Sequence, residues 1–229
     1  MIPLRDSTRS NTFPIVTKAI ILVNVAVFIW ELTLGKHLPH AFLQFAIIPA
    51  RYTHPAEAAE YFGRFPSFGA ALTPFLSSMF LHGGWMHLIG NMWTLWIFGD
   101  NVEDRLGHFR FLLFYLGGGL AAALLHVATN ASSGLPTLGA SGAIAAVMGA
   151  YFRFYPQARI EAIIPPFIFW PIVLPAVIFL GWWFLLQFFS GVAGLAAQGK
   201  AYGGIAWWAH IGGFVFGLVV ASYINVKRR

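Results

Sequence analysis

Residues 111–152 read FLLFYLGGGLAAALLHVATNASSGLPTLGASGAIAAVMGAYF, 42 positions without one Asp, Glu, Lys or Arg. A membrane-spanning helix needs about 20 apolar residues, so this stretch is too long for one span and long enough for two. Its break is Thr129-Asn130-Ala131-Ser132-Ser133-Gly134-Leu135-Pro136, a run of turn-forming residues. Outward from it lie three more charge-free runs, Phe65–Gly99 (35 residues), Ala162–Gly199 (38) and Ala201–Val226 (26). Ile15–Leu34 is also apolar, with Lys18 and Glu31 near its ends, where both can snorkel to the interface. The pattern predicts an all-α, polytopic membrane bundle of six transmembrane helices near 15–34, 83–100, 108–127, 140–155, 172–192 and 204–226.

Composition agrees. Of 229 residues, 58% are hydrophobic and 10% charged, far from the roughly 25% charge of a soluble domain. The absence of cysteine excludes a disulfide framework, a thiol nucleophile and thiolate metal ligation. The net charge of +6 is better read as topology than as a nucleic-acid partner. With the N-terminus inside, inner segments hold Arg5, Arg9, Lys18, Arg105, Arg110, Arg153, Arg159, Lys227, Arg228 and Arg229, while outer loops hold Lys36, Arg51, Arg64 and Lys200. That 10-to-4 excess predicts both termini in the cytoplasm. Residues 1–14 become a short cytoplasmic segment, 15–226 the membrane domain and 227–229 a basic tail.

Two stretches fit less simply. Residues 35–80 form a long, aromatic-rich first outer loop, expected to lie in the interface. Residues 161–175, with Pro165, Pro166, Pro171 and Pro175, predict an interfacial or kinked approach to the fifth span. A charged start precedes an apolar stretch without a small-residue cleavage site, so no signal peptide is expected.

Polar side chains inside spans are functional hypotheses by default. The second span carries His87 and Asn91, four apart on one helical face. The fourth opens with Gly139-Ala140-Ser141-Gly142, and the sixth carries Ala209-His210-Ile211-Gly212-Gly213. Counting about 1.5 Å per residue from the inner charges puts Ser141 about 18 Å up, His87 about 20 Å, Asn91 about 14 Å and His210 about 25 Å. Three helices running inward thus bring a hydroxyl, two imidazoles and an amide to similar depth. Taken alone, such a serine more often bonds its own backbone, and such a histidine more often bridges helices. The Gly213 and Gly217 pair reads first as close helix packing, which would draw the sixth helix to the fourth.

A serine hydroxyl needs a base to attack, and neutral imidazole is the usual one. Ser141 at a helix N-terminus lies where unpaired N–H groups favour a developing anion. His87 and Asn91 are candidate donors to that oxyanion. No Asp or Glu is expected deep in a span, so the prediction is a Ser141–His210 dyad without a third member. The lack of an interior lysine excludes a Ser–Lys pair.

These motifs resemble the rhomboid family of six-span intramembrane serine proteases. The resemblance covers about Phe80 to Gly217: His87 and Asn91 in the second span, Gly139, Ser141 and Gly142 with the later Gly149, and Ala209, His210 and Gly213 followed by Gly217. Val102-Glu103-Asp104-Arg105-Leu106-Gly107 resembles the family's inner turn after the second span. The resemblance implies cleavage of single-span membrane proteins near their outer interface. Ser141 would be the nucleophile and His210 the base and then the acid, with His87, Asn91 and the Ser141 N–H binding the oxyanion. It implies no metal and no organic cofactor, and His82 is read as structural, holding the first loop. Two positions depart from some members: Ala145 stands where an aromatic residue can stack on the catalytic histidine, and residues 35–80 hold no Trp-Arg pair.

The fourth span, short if it starts near Ser141, leaves room above the serine for water. Gly90 and the Phe/Trp-rich start of the fifth span suggest that substrate enters sideways between spans two and five. Two other classes compete. A non-catalytic membrane-protein binder would need the dyad broken, but Ser141 and His210 are both present. A proton-coupled carrier would show internal repeats and buried carboxylates, and neither is seen in the sequence. The short N-terminus favours a bacterial plasma membrane as the location.

Overall fold

The computed structural model describes residues 1–164, 168–196 and 206–224. Pro165, Pro166, Lys200, the tail at 227–229 and positions 204–205 and 225–226 of the expected sixth span lie outside the described residues. The chain is mostly helical: α1 (Ile15–Thr33), α2 (Leu38–Phe45), α3 (Ala50–Thr53), α4 (Pro55–Phe62), α5 (Phe68–Ser77), α6 (Trp85–Leu106), α7 (His108–Thr129), α8 (Ser141–Phe154), α9 (Ala176–Ala196) and α10 (Trp207–Tyr223). Three of them, α1, α7 and α9, are long and apolar enough to cross a membrane, which marks this as a membrane protein. Helices also cover the other apolar segments, but α6 ends in the charged Asp100, Glu103, Asp104 and Arg105, and α8 has only 14 residues.

The expectation of an all-α chain is corrected by a small sheet. Strands β1 (Ile2–Asp6), β2 (Arg159–Ile164) and β3 (Ile168–Pro175) form an antiparallel sheet in the order β1-β2-β3. Ile160 pairs with Asp6 on one side and Leu174 on the other, and Arg5 bonds Glu161 across the first pair at 2.5 Å. The prolines of 161–175 argued against a strand, yet Pro171 and Pro175 sit in β3, an edge strand that tolerates a missing N–H. Ile160 and Ala162 bury the inward face. The fifth helix therefore starts at Ala176 rather than near 172.

Helix α8 is the axis of the fold: every residue from Gly142 to Tyr151 is buried. Glycines let its neighbours close on it. A Cβ at Gly213 would collide with the Gly142 carbonyl oxygen, one at Gly217 with the Ala146 carbonyl, and one at Gly149 with the Phe214 carbonyl. Backbone thus meets backbone between α8 and α10, the packing that small residues permit.

Two carboxylates tie the helix ends. Glu103 of α6 is buried and accepts from the Val16 and Thr17 N–H groups (2.9 and 2.7 Å), the Thr17 hydroxyl (2.6 Å) and the His108 ring (2.6 Å). It caps α1, which lacks a cap of its own, with the charge sign that a helix N-terminus favours. Glu31 does not snorkel as expected. It is 1% exposed and accepts from the His82 N–H at 3.0 Å, so it ties α1 to the chain entering α6.

The first loop folds as α2–α5 with short 3-10 turns at Gly35–His37 and Ser78–Phe80. Its Arg51 is buried, donates to the Leu43 carbonyl at 2.8 Å and lies 3.7 Å from the Phe65 ring centre. The Ser77 hydroxyl closes α5 onto α2 through the Phe45 carbonyl at 2.7 Å.

Candidate active site

The segment before α8 is held on three sides. Thr137 and Ile47 exchange backbone hydrogen bonds at 2.7 and 3.0 Å, Ala50 donates to the Ser133 carbonyl at 3.0 Å, and Gly139 donates to the Ser78 carbonyl at 2.8 Å. The first loop is therefore the outer wall of the segment that delivers the serine. From within the bundle, His126 of α7 accepts at Nδ1 from the Asn130 amide (3.3 Å). That leaves Nε2–H to donate to the Thr137 hydroxyl (2.8 Å). Gly139 has φ +125, a value open to glycine and strained for other residues. Ser141 follows as the first residue of α8, where the leading N–H groups have no partner within the helix.

Close packing of α10 on α8 brings His210 to the serine, with Nε2 2.8 Å from Ser141 Oγ. The other ring nitrogen, Nδ1, lies 2.7 Å from Gln187 Oε1 of α9. Trp183, one turn earlier on α9, packs beside the imidazole with ring centres 5.8 Å apart and planes tilted 34°. Ala145 offers no aromatic surface to His210; α9 supplies it instead.

His87 and Asn91 face the approach to the serine from α6. A Cβ built on Gly139 would lie 2.7 Å from His87 Nε2 and 3.7 Å from Asn91 Nδ2, so both polar tips crowd the one residue that can have no side chain. His87 Nδ1 accepts from the Gly83 N–H at 3.3 Å, which leaves Nε2 as the protonated nitrogen of a neutral ring. The Asn91 amide nitrogen is buried and makes no hydrogen bond within the described residues. Buried donors ordinarily find partners, so this amide is free to meet an acceptor that enters beside Ser141.

The structure thus brings together all four side chains selected from the sequence. His82 lies at the junction of the first loop and α6. Its backbone is held by Glu31 and its ring packs edge-on to His87, centres 5.1 Å apart. Sequence reasoning passed over Gln187, Trp183 and His126. Gln187 had a legible signal, being an amide in the 38-residue charge-free run from Ala162 to Gly199. Among the described residues, no group of three or more His, Asp or Glu is placed to hold a metal ion.

Comparison with known proteins bears on this geometry. The family described as Rhomboid domain matches residues 69–227. Among curated proteins, the chain is similar to the presenilin-associated rhomboid-like protein A, mitochondrial, of Danio rerio, 29% identical over 72% of this chain and 40% of that protein. Its counterpart named without the letter A in Mus musculus is 30% identical over 71% of this chain and 41% of its own. Rhomboid protein 1, mitochondrial, of Saccharomyces cerevisiae is 31% identical over 66% and 41% respectively. The chain thus spans about two-fifths of the length of these relatives. Their names are mitochondrial, which runs against the bacterial plasma membrane expected from the sequence. With its motifs in order and more than half its length matched, this chain belongs to the rhomboid family.

Proposed function

We propose that the protein is an intramembrane serine endopeptidase that hydrolyses peptide bonds in or near the transmembrane segments of single-span membrane proteins. The observation that carries the reading is the 2.8 Å contact between Ser141 Oγ and His210 Nε2, beside the two donors from α6. His210 takes the Ser141 proton as Oγ attacks the scissile carbonyl. It then gives that proton to the leaving amine as the C–N bond breaks, which leaves an acyl-enzyme. Water, deprotonated by the same imidazole, attacks the ester and regenerates Ser141. His87 Nε2–H, the Asn91 amide and the Ser141 N–H hold the oxyanion of both tetrahedral intermediates. The reaction asks for no metal and no organic cofactor.

The reading carries a topology with it. Six spans, α1, α6, α7, α8, α9 and α10, put both termini on the inner side and the first loop outside. The 14 residues of α8 make a helix about 21 Å long, shorter than a hydrocarbon core of about 30 Å. That difference leaves depth above Ser141 for water and an unwound substrate segment. Substrate enters between α6 and α9, which meet through Phe98 and Phe179 at a ring separation of 6.5 Å. A disulfide engineered across α6 and α9 suppresses cleavage on this account, and undiminished cleavage contradicts the gate. The bilayer is common to the mitochondrial names of the relatives and to the bacterial location first expected.

The chemistry is tested by labelling purified protein with a serine-directed phosphonate and mapping the adduct. The expected adduct is on Ser141 and is lost in Ser141→Ala. Equal labelling of that variant contradicts the assignment. An intact dyad also weighs against a non-catalytic binder.

A further inference from the structure

His210 has two ring nitrogens and only one productive arrangement of protons. To accept from Ser141, Nε2 must be bare, so the single proton of the neutral ring must sit on Nδ1. An imidazole free of other contacts exchanges between the two tautomers. In the wrong one, Nε2–H points at the hydroxyl and proton abstraction stops. Something must hold the proton at Nδ1, and among the described residues no carboxylate bonds that atom.

The group that does reach it is the side-chain oxygen of Gln187, 2.7 Å from Nδ1. Gln187 is 7% exposed, so the bond is largely shielded from solvent. It rises from α9 in a stretch that reads Trp182-Trp183-Phe184-Leu185-Leu186-Gln187-Phe188, where an amide is costly in apolar surroundings unless it is used. Trp183 lies one turn away on the same helix and covers the same imidazole. One helix therefore presents both an acceptor for the ring's edge and a surface for its face.

We infer that Gln187 is a positioning residue: its carbonyl oxygen fixes the Nδ1–H tautomer and the ring orientation of His210, giving the dyad a neutral third member. A neutral acceptor suits this site because a carboxylate would have to be held ionised among apolar side chains. Once the imidazole is protonated, both its N–H groups have an oxygen partner, so the amide dipole also eases the charge that forms in the transition state.

The inference rests on the proposed serine–histidine chemistry, and its test separates the two. Full-length wild type, Gln187→Leu, Gln187→Glu and Ser141→Ala are compared for cleavage of a single-span substrate. In parallel, proteins with 15N-labelled histidine report the protonated nitrogen of His210, identified by its loss in His210→Gln. Loss of a tautomer lock in a full triad lowers kcat by about 10⁴. For a neutral acceptor, Gln187→Leu is expected to lower kcat by about 10- to 100-fold, with KM changed less than about twofold. Gln187→Glu, which restores an acceptor oxygen, recovers most of the rate. The wild-type spectrum has the proton on Nδ1, and the Leu variant divides it between the two nitrogens. A Leu variant with wild-type kcat and an unchanged Nδ1–H signal overturns the inference, as does an equal loss in the Leu and Glu variants with that signal intact. If wild type neither cleaves nor reacts with a phosphonate, the protease reading fails, and the nitrogen spectra still decide whether Gln187 sets the tautomer.

Discussion

In α1, Leu22, Ile29 and Leu32 are each more than half exposed along a helix of 19 residues. In α8, 14 residues long, every position from Gly142 to Tyr151 is buried. The first helix shows its apolar side chains to lipid and bears none of the four groups of the candidate site. The second turns alanines and glycines toward neighbouring helices and begins with Ser141. The contrast extends to α6, which carries His87 and Asn91 and, among the described residues, falls outside the helices that length and composition qualify as spans. Lipid-facing helices are selected for apolar surface. Site-bearing helices are selected for close approach, which asks for small residues and tolerates polar ones. Helix α9 belongs to both groups, with exposed Trp182 and Phe189 on one side and Gln187 buried on the other.

That division predicts where substitutions act. The largest effect is expected at His210: His210→Ala lowers kcat by several orders of magnitude, on the scale of about 10⁴–10⁶ seen when a triad member is removed, with the thermal unfolding midpoint little changed. Next comes Gly213→Val, where the new side chain meets the Gly142 carbonyl oxygen and cannot be relieved by a rotamer change. It is expected to destabilise the protein by about 1–3 kcal/mol, as overpacking does, and to reduce cleavage at least about 100-fold by parting His210 from Ser141. Thermal unfolding and kinetics on one preparation check both halves. Asn91→Ala is expected to cost about 10–10³-fold in kcat without loss of stability, since the amide nitrogen it removes has no partner among the described residues. Destabilisation by Asn91→Ala contradicts that role. The smallest effect belongs to α1: Leu22→Ala, on a residue 68% exposed, leaves kcat and KM unchanged, and a large activity loss there breaks the comparison.

The sequence reveals the helices because apolar runs bounded by charges have one stable solution in lipid. It reveals Ser141, His210, His87 and Asn91 because polar residues stand out against such runs. What it hides depends on contacts between distant segments. Glu31 reads as an interfacial charge until α1 is seen beside the N–H of His82. The strand Ile168–Pro175 reads as an interfacial or kinked approach to the fifth span because its edge position, which makes its prolines harmless, is a property of the sheet and not of the segment. Ala145 reads as a gap in the support of His210 because that support comes from α9, some forty residues further along the chain. Gln187 was visible as an anomaly, but its purpose was not, since periodicity gives the face a residue occupies and not the atom it meets.

The most direct test is cleavage of a purified single-span protein co-reconstituted with the full chain in liposomes, wild type beside Ser141→Ala, with products identified by mass spectrometry. The account predicts a defined cut in or next to the transmembrane segment with wild type and none with the variant. The same fragments at the same rate from Ser141→Ala would contradict it.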